Sequence, residues 1–249
     1  MKGKIFFLLI LSTAKIVAMQ PRQWIRDAHA SMIQENTRAL FNLLQKVQKI
    51  PLNVNEQGKK EIDRLIEDGI NVNAQNAAGY TPLYLATLHK LIAHIELLLK
   101  KGANPNIKNN YGSSPLAAAA SSNNVTITQL LLTAGANPNL RLVNNSTALI
   151  IAVRFADGKN NYNQETIQLL IDANANLDLQ NDAQETALNI AVTNGNLVLA
   201  KKLLEAGADP NIEDANGNSA LLLAKDNQEL WEYIFEFKRL RRLKQMGRN

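Results

Sequence analysis

The side chains that could do chemistry are few and scattered. The histidines are His29, His89 and His94. The last two stand five apart, which on a helix separates them by ~140°, so they cannot share a metal ion as an i, i+4 pair does. The chain has no cysteine, which removes disulfides, thiolate metal sites and thiol nucleophiles together. No glycine-rich phosphate loop is present, and Gly112-Ser113-Ser114 lies in a turn instead of a strand-to-helix elbow. The carboxylate pairs Glu67-Asp68 and Glu213-Asp214 fall at a helix end and in a loop, where solvation accounts for them. Asn124-Val125-Thr126, Asn144-Asn145-Ser146 and Asn145-Ser146-Thr147 match the glycosylation acceptor pattern. Matches of this kind arise by accident in so Asn-rich a chain. No catalytic residue, metal ligand or cofactor-binding residue stands out, so an enzyme is the least favoured class.

Charge is the other source of chemistry, and it sits at the ends. Lys238, Arg239, Arg241, Arg242, Lys244 and Arg248 make residues 238–249 a basic C-terminal tail, and Lys2, Lys4 and Lys15 add cations at the start. The formal net charge of +5 therefore describes two ends, with a body near −4 between them. Clustered Lys and Arg can bind anionic membrane or nucleic acid; they equally suit the C-terminal dipole of a closing helix. Residues 1–18 read as a signal peptide, with Met1-Lys2-Gly3-Lys4 ahead of the apolar run Ile5 to Leu11 and small residues at Ser12, Ala14 and Ala18. That run is too short to span a bilayer, which takes ~20 apolar residues. Cleavage would give a secreted or periplasmic protein; an uncleaved, buried N-terminal helix is the competing reading.

The elements between the ends follow a period. Thr81-Pro82-Leu83, Ser114-Pro115-Leu116, Thr147-Ala148-Leu149, Thr186-Ala187-Leu188 and Ser219-Ala220-Leu221 recur at steps of 33, 33, 39 and 33 residues. A fixed period of this size means stacked supersecondary units, each too small to bury its apolar face alone. Each unit opens on turn residues. A Thr or Ser then serves as N-cap, with Pro at the first helical position in two units. The first helix carries a small residue at Ala86, Ala119, Ala152, Ala191 or Ala224. A second helix presents Leu98-Leu99, Leu131-Leu132, Leu170-Ile171 or Leu203-Leu204 and stops at Gly102, Gly135, Asn174 or Gly207. Residues 19–55 read as an N-terminal helical cap with Leu40, Leu43, Leu44 and Val47 on one face, followed by Ile62, Leu65 and Ile66 on a degenerate first unit. The six extra residues of the third step belong in the turn between helices, around 155–164.

Five copies of [Thr/Ser]-[Pro/Ala]-Leu, the Leu-Leu helices and endings such as Gly102-Ala103-Asn104-Pro105-Asn106 resemble the ankyrin repeat family over residues 56–237. The resemblance implies an all-α solenoid of stacked helix-turn-helix units with projecting hairpin loops. In the family, His commonly follows Thr-Pro-Leu and ties neighbouring loops together. Tyr84, Ala117, Ile150, Asn189 and Leu222 stand there instead, so that tie is expected to be weak or absent.

The resemblance also implies where recognition occurs: loop tips and the exposed side of the first helix, inside the curve. Mapped onto this register, the strip contains Tyr80, Leu88, His89, Tyr111, Val143, Arg154 and Phe155, mostly residue types that dominate interface energetics. The expected function is a non-catalytic module, possessing no cofactor or small-molecule substrate, that binds an unidentified protein partner through the concave face. It is expected to be a monomer and resembles bacterial effector-like proteins. The alternative is an adaptor drawn to anionic membrane or nucleic acid by residues 238–249.

Overall fold

The computed structural model describes residues 21–47, 56–68, 70–156 and 164–246. Residues 1–20, with the expected signal peptide, and 48–55, 69, 157–163 and 247–249 lie outside them, as does the side chain of Val47 expected on the first helix's stripe. The chain divides between Asn71 and Val72 into two compact units. In the first, α1 (Pro21–Val47) packs on α2 (Glu56–Glu67). The buried stripe of α1 is Thr37, Leu40, Phe41 and Leu44, and that of α2 is Ile62, Leu65 and Ile66. Leu43, expected on the α1 stripe, is only half-buried. Phe41 and Thr37 take the place beside Leu40 and Leu44, and the Thr37 hydroxyl accepts the Asn71 N–H at 3.2 Å.

The second unit contains five helix pairs: α3 (Pro82–Leu88) with α4 (Ile92–Lys100), α5 (Pro115–Ser121) with α6 (Val125–Thr133), α7 (Ala148–Arg154) with α8 (Gln164–Asp172), α9 (Ala187–Thr193) with α10 (Leu197–Glu205), and α11 (Ala220–Leu223) with α12 (Gln228–Gln245). The described residues form twelve α-helices and no strand. Each first helix packs on the first helix of the next pair, in the order α3, α5, α7, α9, α11. This is the expected stack of helical hairpins.

Local chemistry sets the helix starts. The side chains of Thr81, Ser114, Thr147 and Thr186 accept the backbone N–H three residues on, at 3.1, 3.2, 3.3 and 3.2 Å. Each such cap contributes about 1 kcal/mol. Ser219 makes no cap bond, and its helix α11 runs for only four residues. Second helices end at Gly102, Gly135, Asn174 and Gly207, all with positive φ (86°, 84°, 59° and 107°). Between paired helices three residues suffice in the first, second and fourth pairs, whereas nine separate Arg154 from Gln164. The six-residue excess thus sits where the flanking caps and stripes require it.

Close approach between pairs depends on the small residue of each first helix. Ala86, Ala119, Ala152 and Ala191 are 0% exposed and Ala224 is 1% exposed. Beside them run fully buried leucines such as Leu83, Leu116, Leu149 and Leu188, each contributing about 1.5–3 kcal/mol by leaving water.

The absent His tie is made by other means, which corrects the expectation drawn from the family. The Asn73 side chain accepts the Asn104 N–H at 2.7 Å and donates to the Gly102 carbonyl at 3.3 Å. Asn106 does the same with Asn137 N–H and Gly135 carbonyl, and Asn139 with Asn176 N–H and Asn174 carbonyl. Asp178 continues the column by accepting the Asp209 N–H at 2.8 Å. A second column runs two residues further on: Gln75, Lys108, Arg141 and Gln180 each donate to a carbonyl in the next loop, those of Lys108, Arg141, Gln180 and Glu213. At the His position itself, Asn189 donates toward the Ile212 and Asn218 carbonyls at 3.3 and 3.5 Å.

Two outcomes follow. Ala119→Leu is expected to lower stability by about 1–3 kcal/mol through overpacking, whereas Ala134→Leu at an exposed helix end stays near neutral; urea unfolding of both checks this. Asn106→Ala strands the Asn137 N–H and is expected to cost about 1 kcal/mol, read in the same titration.

Candidate protein-binding face

The loop tips are shaped by an acceptor five residues before each cap. The Asn76 side-chain oxygen takes the N–H groups of Ala78 and Tyr80, Asn109 those of Tyr111 and Ser113, Asn181 those of Ala183 and Glu185, and Asp214 those of Asn216 and Asn218. The third loop has Leu142 there, which has no side-chain acceptor. That loop instead forms a short 3-10 turn, Val143–Asn145, with both Asn144 and Asn145 at positive φ (59° and 52°). Tips are also joined directly: Asn110 N–H donates to the Ala78 carbonyl at 3.1 Å, Asp182 N–H to Asn144 at 2.9 Å, and Ala215 N–H to Ala183 at 3.0 Å.

On this frame the expected strip residues fall into two groups. Tyr80 stacks face to face on Tyr84, with ring centroids 5.0 Å apart, and lies 6.2 Å from the ring of Tyr111. Tyr84 belongs to the buried side of α3, so Tyr80 is backed by the core and Tyr111, 66% exposed, stands free beside it. Val143 sits against Gly112: a Cβ added to that glycine would come within 2.4 Å of a Val143 methyl. Tyr80, Tyr111 and Val143 therefore form a run over three successive tips.

Leu88, His89, Arg154 and Phe155 make the second group, at the C-terminal ends of α3 and α7. His89 and Phe155 hold the same C-cap position in their helices, with Ser122 of α5 between them in the register. Phe155 is 60% exposed and Leu88 is also exposed. Burial pushes the His89 imidazole below its ordinary pKa, which keeps it neutral at physiological pH. Arg154 is not free: its guanidinium meets the Glu185 carboxylate at 3.1 Å, across to the next loop. Glu185 is held in turn by the Asn181 amide at 2.8 Å.

His94 is buried on α4 while His89 lies at the end of α3, and no group of three metal-ligating side chains occurs among the described residues. The Asn-X-Ser/Thr matches are engaged structurally, with Asn124 capping α6 through the Ile127 N–H and Thr147 capping α7. Sequence reasoning missed the Arg154–Glu185 tie and the Tyr84 support beneath Tyr80. The i, i+4 spacing of the two tyrosines was the available signal for the second.

Repeating caps, alanine contacts and loop columns define the unit. A sequence model of ankyrin repeats, three copies long, matches residues 51–142, 96–160 and 149–239, which together cover most of the chain. The chain belongs to the ankyrin repeat family. Ankyrin repeats mediate protein–protein interaction as a class. The chain is similar to an ankyrin repeat protein of Acanthamoeba polyphaga mimivirus, 39% identical over 64 residues, which are 26% of this chain and 40% of that protein. It is also similar to NF-kappa-B inhibitor alpha of Sus scrofa, 46% identical over 48 residues, 19% of this chain and 15% of that one. The chain thus aligns with less than half the length of either relative.

Asp214 gives the ankyrin loops a pH response. Hydrogen bonds from the Asn218 backbone, opposed by burial and reinforced by the Asn218 side chain and the Asn216 backbone, hold its carboxyl below the ordinary value. The charged form is favoured in the folded state. Its contribution is therefore present above the unfolded-state pKa and lost as pH falls through the folded one. Asp214→Asn, matching Asn76, Asn109 and Asn181, is expected to flatten that acid-side loss, as read by thermal unfolding across an acid pH series.

Proposed function

We propose that the chain is a non-catalytic binding module that grips one protein partner on the strip from the loop tips to the ends of the first helices. The observation that carries this reading is the exposure of Tyr111, Val143, Leu88 and Phe155 on units whose other large apolar residues are mostly engaged in stacking. Tyr111 and Phe155 are the anchors. Tyr80, backed by Tyr84, supplies a rigid neighbour that loses little freedom on binding. Arg154 contributes through its guanidinium only in so far as the partner replaces or shares Glu185, because exposed ion pairs of this kind are weak.

The reading extends to export. Lys2, Lys4 and the apolar run from Ile5 to Leu11 support a leader that delivers the module to a secreted or periplasmic location, where an effector-like role would place its partner outside the producing cytoplasm. Mass spectrometry of the mature N-terminus tests this, and a chain that retains Met1 in the exported fraction contradicts it.

For the binding face, the partner is identified by affinity capture from the native compartment and its affinity then measured by calorimetry. Tyr111→Ala with Phe155→Ala is expected to weaken binding about tenfold or more with an unchanged melting temperature. Gln129→Ala, exposed on a second helix, leaves affinity unchanged. Wild-type affinity in the double variant rejects the strip.

A further inference from the structure

The last helix pair departs from its predecessors in what it leaves uncovered. Three residues after each first-helix cap stand Tyr84, Ala117, Ile150 and Asn189, all buried, whereas Leu222 at the same position is 49% exposed. Four residues after the start of each second-helix register stand Ile95, Thr128, Ile167 and Ala200, each 0% exposed, yet Trp231 there is 37% exposed. Phe235 shares a register with Leu99, Leu132 and Ile171, which are half-buried, and with the buried Leu204, and is itself 47% exposed. In the inner pairs the positions of Leu222 and Trp231 are closed off from water. Here Trp231 and Phe235 stack on each other at 5.0 Å on an open face, while Leu230 and Ile234 take the inward side of α12.

The same helix continues without a break through the basic segment to Gln245. Helical spacing therefore carries the Trp231 and Phe235 face forward to Lys238 and Arg242, at i+7 and i+11 from Trp231. Between Lys238 and Gln245 there are five cations and no carboxylate. Arg239 is committed to Glu236 at 2.7 Å and Arg241 reaches the Ala208 carbonyl at 3.4 Å. Lys238, Arg242 and Lys244 meet no carboxylate within ion-pair distance among the described residues. A groove of about 660 Å³ beside Pro210 opens onto Phe235, Lys238, Arg242 and Met246, with Asp209 at its edge held by the Asn211 N–H, and has room for a phosphate-bearing headgroup. No helix of the described residues is long and apolar enough to cross a membrane.

We propose that this end of the repeat stack is a docking face for an anionic membrane surface, with Trp231, Phe235 and Leu222 entering the headgroup region and Lys238 and Arg242 pairing with lipid phosphates. An aromatic patch continuous with unpaired cations on one helix face matches an anionic interface. A second copy of the chain fits less well. It would bring another five cations to a face whose carboxylates are already engaged, Glu236 by Arg239, Glu232 by the Gln228 amide and Asp209 by the Asn211 N–H and amide. This inference goes beyond the proposed protein-binding strip and uses none of its residues.

The chain has two tryptophans, so the full chain carrying Trp24→Phe reports on Trp231 alone. Phosphatidylcholine vesicles containing phosphatidylglycerol are expected to shift its emission to the blue and to co-float the protein, and raised salt to reverse both. Vesicles of phosphatidylcholine alone give neither effect. Lys238→Glu with Arg242→Glu is expected to reduce vesicle binding about tenfold or more with an unchanged circular dichroism spectrum, while Tyr111→Ala with Phe155→Ala binds vesicles as wild type. Absence of binding to the anionic vesicles, or binding that survives the double charge reversal, overturns the proposal. So does a concentration-dependent dimer that shields Trp231 without lipid, or a blue shift produced by duplex DNA and not by vesicles.

Discussion

The fold depends on how closely one helical hairpin can approach the next. At the column of Ala86, Ala119, Ala152, Ala191 and Ala224 there is essentially no exposed surface left, so the backbones of successive first helices meet across a methyl group. That approach is what brings Leu83, Leu116, Leu149 and Leu188 out of water. Each buried leucine contributes about 1.5–3 kcal/mol, against about 1 kcal/mol for a helix cap. Inter-hairpin burial therefore outweighs the local signals that start and stop the helices, and seven-residue helices persist here although they would not form alone.

Close stacking has a consequence for the loops. Once the helices are fixed in contact, successive hairpin loops are fixed as well, and a polar side chain in one can reach the backbone of the next. The Asn73, Asn106, Asn139 and Asp178 column exploits this, as does the Gln75, Lys108, Arg141 and Gln180 column. An amide suits the task because it accepts an N–H and donates to a carbonyl at once; Asp178 can do only the former. The loop tips are thereby held in register without the histidine that commonly ties them, and the side chains they carry stand on an ordered frame.

The period, caps, alanine contacts and position of the insertion were all legible in the sequence, because each rests on a short-range rule repeated several times. Thr81 predicts its own helix; Gly102 predicts where one ends. The loop columns were not legible in the same way. Asn73 and Asn106 read as generic turn formers, and their inter-loop role exists only after stacking sets a distance that no local rule contains. The Arg154–Glu185 pair is hidden for the same reason, since 31 residues separate its members. Likewise Lys238 to Lys244 read as a tail from composition, while the unbroken α12 puts two of those cations on the face of Trp231. Charge density is a sequence property, but which face it occupies is a structural one.

Departures from the repeat are themselves unevenly placed. The third unit lacks the loop acceptor, with Leu142 where Asn76, Asn109, Asn181 and Asp214 stand, and among the described residues it alone has two consecutive asparagines at positive φ. It also contains the nine-residue connection between Arg154 and Gln164 and the Arg154–Glu185 pair. None of these changes touches its stacking core: Leu149, Ile150, Ala152 and Val153 are as buried as their counterparts. A solenoid tolerates this because the residues that face neighbouring hairpins and those that face outward are separate sets along each unit. The third unit keeps the first set and varies the second, which places its irregularities beside Val143 and Phe155 on the exposed strip. Packing gives no reason for an exposed phenylalanine, an altered tip and a longer connection to coincide there; under the proposed binding role these are the positions that a partner would meet.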